Sequence, residues 1–365
     1  MARPLITFRV DASLTIGSGH VMRCLTLADA LVQRGAQCHF VCRSHVGHML
    51  DAIRLRGHTA TALDASETKS AESEASPRHA HWLGASWQSD ATETLAAIGD
   101  QHAQWLVVDH YALDERWERA VRESSAQLMV IDDLADRPHD CDLLLDQNLG
   151  RTIDSYADLT PPTAHIFAGA AHALLRPEFA ELRNASLARR AAPRLDHLLV
   201  TMGGVDKDNA TQRVLDALAR CALPSYSRIT VVMGAMSPWT DQVRARASAM
   251  PCSIQVLVGT SQMAQLMVDS DLAIGAAGST SWERCCLGLP TIQLVLADNQ
   301  AAIAQALADE GAAWSANDHT LQDVLEKIFS EDFAIDRLAS MSRAAAAVTD
   351  GLGAPNIAKR LAEVF

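Results

Sequence analysis

His20 stands directly after a loop carrying Gly17, Ser18 and Gly19, where an apolar helical pattern begins. A histidine at a helix N-terminus meets the positive end of the helix dipole, which disfavours imidazolium. The ring is expected to stay neutral and able to take a proton from water. It equally reads as a residue that satisfies a backbone group near a cap. Arg23 lies one turn on and on the same side, where it could address substrate oxygens or pair with a carboxylate. Asp11 ends the apolar run 5–10 and could orient His20, bind ligand hydroxyls or cap a turn. Asp109, followed by His110 and Tyr111, reads first as the cap of a following helix and second as a partner in a base.

A second group has the residue types of an anion site. Residues 275–290 combine a strand end, a glycine turn and a helix start. Gly278 can take φ > 0, and Ser279 and Thr280 are good N-caps. Such a helix start offers free N–H groups and the positive dipole end to a diphosphate, without requiring a metal. Glu283, one turn further, could accept hydrogen bonds from ribose hydroxyls. Gly203 and Gly204, with Asp206 and Asn209, form another strand-to-helix turn that could contact the same diphosphate. Asn299 and Gln300 are donors for sugar hydroxyls or plain helix caps. The tryptophans read as core, although Trp282 sits inside the 275–290 stretch.

The elements that must position these residues are strands alternating with helices. Apolar runs at 5–10, 38–42, 105–108, 128–131 and 143–145 predict buried parallel strands, with a helix over 20–33 whose buried face carries Val21, Leu25, Ala28 and Val32. Asp109, Asp132, Asp133, Asp146, Gln147 and Asn148 then fall at carboxyl ends of strands, where open parallel sheets place ligand sites. Residues 66–89 read as an irregular surface excursion. A second series begins at 197–202 and continues through strands at 229–233, 254–258, 271–275 and 291–296. The fold class is therefore α/β, with two Rossmann-like domains facing a cleft. The expected division is an N-terminal domain over 1–182, a linker over 183–195, a C-terminal domain over 196–350, and a last helix over 351–365 packing back on the first domain.

Composition narrows the function. The chain has 365 residues, 48% of them hydrophobic, enough for two cores. A net charge of −13 argues against nucleic-acid and anionic-membrane partners. The eight cysteines show no zinc spacing and read as core residues of a reducing compartment. No apolar run approaches about 18 residues, so a cytoplasmic protein is expected. No metal and no cofactor is called for, and a monomer is the expectation.

Taken together, residues 8–13, 16–28, 108–111, 131–133, 146–148, 175–179, 202–204 and 275–290 resemble the UDP-2,4-diacetamido-2,4,6-trideoxy-β-L-altropyranose hydrolases of pseudaminic acid synthesis, a route to flagellin glycosylation. The resemblance runs from about residue 6 to residue 300. It implies the two-domain glycosyltransferase B fold, related to the transferase that makes lipid II. It also implies inverting hydrolysis at the anomeric carbon, with a UDP-linked 2,4-diacetamido sugar and water as partners. By resemblance His20 is the base that activates water, Tyr111 and Asn299 line the sugar pocket, and Glu283 with Gly278, Ser279 and Thr280 holds UDP. Asp11, Gly19, Arg23 and Gln300 complete the expected sugar-side set, and Gly203 and Gly204 the UDP-side set. The excursion at 66–89 departs from shorter members. A transferase or an epimerase of the same fold, or a non-catalytic UDP-sugar sensor, are the competing readings.

Overall fold

The computed structural model describes residues 3–65, 77–224, 227–330 and 332–365. The chain divides into two compact units, Met1–Leu174 with Leu352–Phe365, and Leu175–Gly351.

In the first unit, seven parallel strands form one sheet among the described residues: β1 Leu5–Val10, β2 Gln37–Arg43, β3 Thr59–Leu63, β4 Ala103–Asp109, β5 Ser125–Ile131, β6 Leu143–Asp146 and β7 His165–Ala168. Their order is β3-β2-β1-β4-β5-β6-β7. The direction of chain progression reverses between β1 and β4, and the loops leaving their carboxyl ends diverge there, which opens a ligand crevice. Val10 pairs with Asp109 in register, so Asp11 and His110 start adjacent loops.

Strand periodicity decides the layers. Ile6, Phe8 and Val10 face one side and pack with Leu25, Ala28 and Ile357 from the helices Gly19–Val32 and Gly353–Ala362. Leu106 and Val108 face the other side, with Trp117, Val121 and Tyr156. On the first helix Val32 is exposed and Leu31 is buried instead, a correction to the expected face. The C-terminal segment belongs to this unit: Trp105 Nε1 donates to the Leu361 carbonyl at 3.1 Å.

The alternate residues of β1 carry a buried ion network. Arg9 donates to Asp11 at 2.6 and 2.9 Å and to Asp90 at 3.0 and 2.6 Å, and Arg43 adds a 2.7 Å bond to Asp90. All four side chains are fully buried. Such ions are tolerable only because charge and hydrogen bonding are matched; losing one partner from a buried pair costs about 3–5 kcal/mol.

The second unit has a six-stranded parallel sheet among the described residues: β8 His197–Thr201, β9 Arg228–Met233, β10 Ser253–Val258, β11 Leu272–Ala276, β12 Thr291–Leu294 and β13 Trp314–Ala316. The order β10-β9-β8-β11-β12-β13 reverses between β8 and β11. Gly275 pairs with Thr201, so the glycine turns after β8 and β11 leave the sheet side by side.

Two sequence expectations need correction here. Residues 183–190 are not linker; they continue the helix Pro177–Arg190. Arg190 is buried in the unit, donating to the carbonyls of Leu287, Ser270 and Met267. Of the excursion 66–89, residues 66–76 lie outside the described residues. The remainder forms a tight helical turn, Ala80–Trp82, and leads into the helix Trp87–Ile98, whose cap Ser86 accepts from the Ser89 N–H at 3.1 Å.

Candidate active site

The helix Gly19–Val32 starts at the reversal point of the first sheet, and that places His20 over the end of β4. Gly17 makes the approach possible with φ +82° and bridges back to Ser13. His20 Nδ1 lies 2.5 Å from Asp109 Oδ1. Arg23 grips the same carboxylate at 2.7 Å through both Nε and Nη2, and reaches Asp133 at 2.6 Å through Nη1. The Tyr111 hydroxyl donates to Asp133 at 2.5 Å, and its ring packs edge-on against His20 at 4.6 Å.

This geometry assigns the histidine tautomer. A buried carboxylate at Nδ1 requires Nδ1 to donate, which leaves the Nε2 lone pair as the acceptor. Nε2 has no hydrogen-bond partner among the described residues. Asp109 stays ionised: burial alone would raise its pKa, but Arg23 and His20 outweigh burial and hold it well below the usual carboxylate range. The helix dipole is therefore opposed at His20 by a carboxylate in contact.

The structure redistributes several expected roles. Asp109 is the partner of His20 and not a helix cap. Asp11 neither orients His20 nor faces ligand hydroxyls; it is fully buried, paired with Arg9, and accepts from the Arg43 N–H at 2.6 Å. Its carboxyl is held well below the ordinary range, Arg9 outweighing burial. His110 is also buried, with Nδ1 accepting from the Ala112 N–H at 3.1 Å. Gly19 is the first residue of the helix, beside His20. Asp133 and Asn148 meet at 3.2 Å, so the ends of β4, β5 and β6 converge as their polar termini suggested.

Two contributors went unread in the sequence. Trp82 stacks on Tyr111 with ring centroids 5.6 Å apart, and His79 packs on Trp82 at 4.4 Å and on Tyr111 at 5.6 Å. Only their aromatic character in an otherwise polar excursion could have flagged them.

In the second unit the two glycine turns differ. After β8, Gly203 takes φ +87°, and Gly204 packs so closely on Gly234 that a Cβ on Gly234 would fall 1.8 Å from the Gly204 carbonyl oxygen. The following helix, Ala210–Leu218, is already capped: Asp206 accepts from the N–H groups of Ala210 at 2.7 Å and Thr211 at 3.0 Å, and Asn209 from Gln212 at 3.3 Å. Asp206 and Asn209 are thus caps and not diphosphate contacts.

After β11 the helix Thr280–Cys286 carries no side-chain cap from Ser279. The N–H groups of Ser279 and Thr280 have no hydrogen-bond partner among the described residues. Gly278 does not adopt positive φ; a Cβ there would make an ordinary van der Waals contact with Gln300 Nε2 at 3.7 Å. The glycine required by contact is Gly275, whose Cβ would fall 2.7 Å from Arg284 Nη1 and 2.9 Å from the Thr201 carbonyl oxygen.

Arg284 was not anticipated. It is buried beneath the turn, donating to the Ala276 carbonyl at 2.8 Å, to Ser281 at 2.9 Å and to Thr280 at 3.2 Å. It has no ion-pair partner among the described residues, and burial pushes its pKa down to about 10. An uncompensated cation under an open N–H turn favours an anion. Glu283 faces Arg176 at 3.4 Å, and burial pushes its carboxyl above the ordinary range. Asn299 is exposed on the turn Asp298–Gln300, and Gln300 accepts from the Leu296 N–H at 3.0 Å. Trp282 is a core side chain.

Residues 197–361 match the glycosyltransferase family 28 C-terminal domain. The chain is 24% identical over 307 residues to the UDP-2,4-diacetamido-2,4,6-trideoxy-β-L-altropyranose hydrolase of Campylobacter jejuni, covering 84% of this chain and 97% of that protein. The spore coat polysaccharide biosynthesis protein SpsG of Bacillus subtilis is 31% identical over 148 residues, 40% of this chain and 42% of that protein. Among solved structures, Acinetobacter baumannii MurG superposes with a TM-score of 0.71 at 15% identity, covering 99% of this chain and 100% of that one. The fold is of the glycosyltransferase B type.

Proposed function

We infer that this chain, a UDP-sugar protein of the glycosyltransferase B fold carrying a family 28 C-terminal domain, is a nucleotide-sugar hydrolase. Its substrate is UDP-2,4-diacetamido-2,4,6-trideoxy-β-L-altropyranose, and its products are UDP and the free sugar with inverted anomeric configuration. The hydrolase of Campylobacter jejuni supplies the substrate for this reading. The observation that carries the reaction type is the His20–Asp109 pair with its unpartnered Nε2.

The chemistry follows from that pair. Nε2 removes a proton from water as the water oxygen forms a bond to the anomeric carbon, on the face opposite UDP. The C–O bond to the β-phosphate breaks, and its electron pair leaves with UDP. The imidazolium that forms is paired with Asp109, as the histidine of a hydrolase dyad must be. UDP is a good leaving group, so no strong acid is needed. The N–H groups of Ser279 and Thr280 with Arg284 balance the diphosphate charge, while Glu283 and Arg176 address the nucleoside. Gly203 and Gly204 border the same diphosphate, and Asn299 and Gln300 face the sugar.

A transferase reading draws on the family 28 domain, since the same nucleotide site serves transfer to an alcohol. The test is UDP release from the substrate by metal-stripped protein in buffer without an acceptor. Stoichiometric UDP and free sugar support hydrolysis; release only on adding an acceptor alcohol makes the protein a transferase.

A further inference from the structure

We propose that Trp82, backed by His79, is a specificity-determining wall that selects an N-acylated, deoxygenated sugar through apolar contact. The inference rests on the UDP-sugar reading above and names what the first unit recognises in the sugar.

The first observation is what the polar groups around His20 have left to offer. Asp109 accepts from His20 and twice from Arg23, Asp133 accepts from Arg23, Tyr111 and Asn148, and the Tyr111 hydroxyl is spent on Asp133. These side chains satisfy one another, so hydroxyl groups of an incoming sugar would have to break bonds already made. What lies against His20 is aromatic, the edge-on Tyr111 ring, and beyond it come Trp82, stacked on Tyr111 at an interplanar angle of 26°, and His79 against both.

The second observation is that Trp82 is held in place yet not consumed by the core. Leu83, next in the chain, is buried among Leu106, Val108 and Ala91. Gly84 then turns with φ +69° at a point where a Cβ would fall 2.7 Å from the His45 ring. Trp82 and His79 themselves stay half-buried. A fixed, half-open aromatic surface built on the ring that contacts His20 suits a ligand whose faces carry methyl and acetamido groups instead of hydroxyls. A hydroxyl-rich sugar gains little there and loses hydration.

The test uses the full-length His20→Asn protein, so that ligands survive, with UDP, the UDP-linked 2,4-diacetamido-2,4,6-trideoxy sugar and UDP-N-acetylglucosamine titrated by calorimetry. Adding Trp82→Ala should weaken the diacetamido ligand by about tenfold, the scale of losing apolar contacts in a pocket. UDP affinity should hold, and the preference over UDP-N-acetylglucosamine should collapse. Trp82→Phe should recover part of that preference, and His79→Ala should give a smaller loss, which keeps the test open should Trp82→Ala not fold. Unchanged affinity in a folded Trp82 variant overturns this inference alone and leaves the hydrolase reading standing. A parallel loss of UDP binding overturns it too, by making Trp82 a fold residue. Binding of neither nucleotide sugar by the His20→Asn protein removes the hydrolase reading and this inference with it.

Discussion

His20 and Asp109 are 89 positions apart in the chain, yet Nδ1 of one lies 2.5 Å from Oδ1 of the other. They meet because β1 and β4 are neighbours at the point where strand order reverses, so the helix after β1 begins over the end of β4. The pairing orients the imidazole and leaves Nε2 as its acceptor, which the proposed base requires.

Asp109→Asn therefore tests more than a hydrogen bond. It should lower kcat by roughly 10²–10⁴-fold, the usual worth of a positioned base. UDP affinity should be unchanged, because the proposed nucleotide site is built from residues of the other unit. Arg23 loses a buried partner in this variant, so its thermal midpoint should also drop, read by circular dichroism. His20→Asn or His20→Leu should abolish turnover with UDP binding nearly intact. Loss of UDP affinity in either variant would make His20 a binding residue.

Gly278 and Gly275 should separate ligand crowding from fold damage. A Cβ on Gly278 meets Gln300 at an ordinary 3.7 Å, so Gly278→Val should fold normally and bind UDP more weakly by calorimetry. Gly275→Ala would press on Arg284 and on the Thr201 carbonyl, and should cost about 1–3 kcal/mol in denaturant unfolding. Unchanged UDP affinity in Gly278→Val would remove the turn at 278–280 from the nucleotide site.

Asp146 gives a pH signature. Burial and the neighbouring Asp133 push its carboxyl up to about 7, although the Asn148 N–H and the Tyr156 hydroxyl donate to it. A folded-state value above the unfolded one means the native protein binds the extra proton. Its contribution to stability is full below about pH 4 and is lost as pH rises through about 7. Asp146→Asn should therefore match the wild type only below about pH 4 and gain on it steadily between pH 5 and pH 8. Over pH 5 to 8 the gain has an upper bound of about 3 kcal/mol, read from thermal unfolding. A constant difference between the two proteins across pH would contradict this.

Much of the scaffold was legible from apolar runs: β1 has one fully apolar face in Ile6, Phe8 and Val10, and its bounds follow from residues 5–10 alone. β3, β7 and β13 were not, because they are short and lie toward sheet edges, where half-exposed residues need no apolar pattern. Arginines misled the domain boundary. Arg183, Arg189 and Arg190 look like linker charge, but they are spent on carbonyls of the same unit. The choice between Asp11 and Asp109 was also closed to sequence reasoning. Both end strands, and only the sheet order shows that one faces Arg9 and the other His20. Trp82 carried no periodic signal at all, since a half-buried ring in a turn belongs to no repeating face.

The most direct test of water attack at the anomeric carbon is hydrolysis of UDP-2,4-diacetamido-2,4,6-trideoxy-β-L-altropyranose in oxygen-18 water, followed by mass spectrometry of both products. The account predicts label in the free sugar and none in UDP. Label in the phosphate of UDP would mean cleavage of the P–O bond and would contradict His20 as the base for attack on carbon.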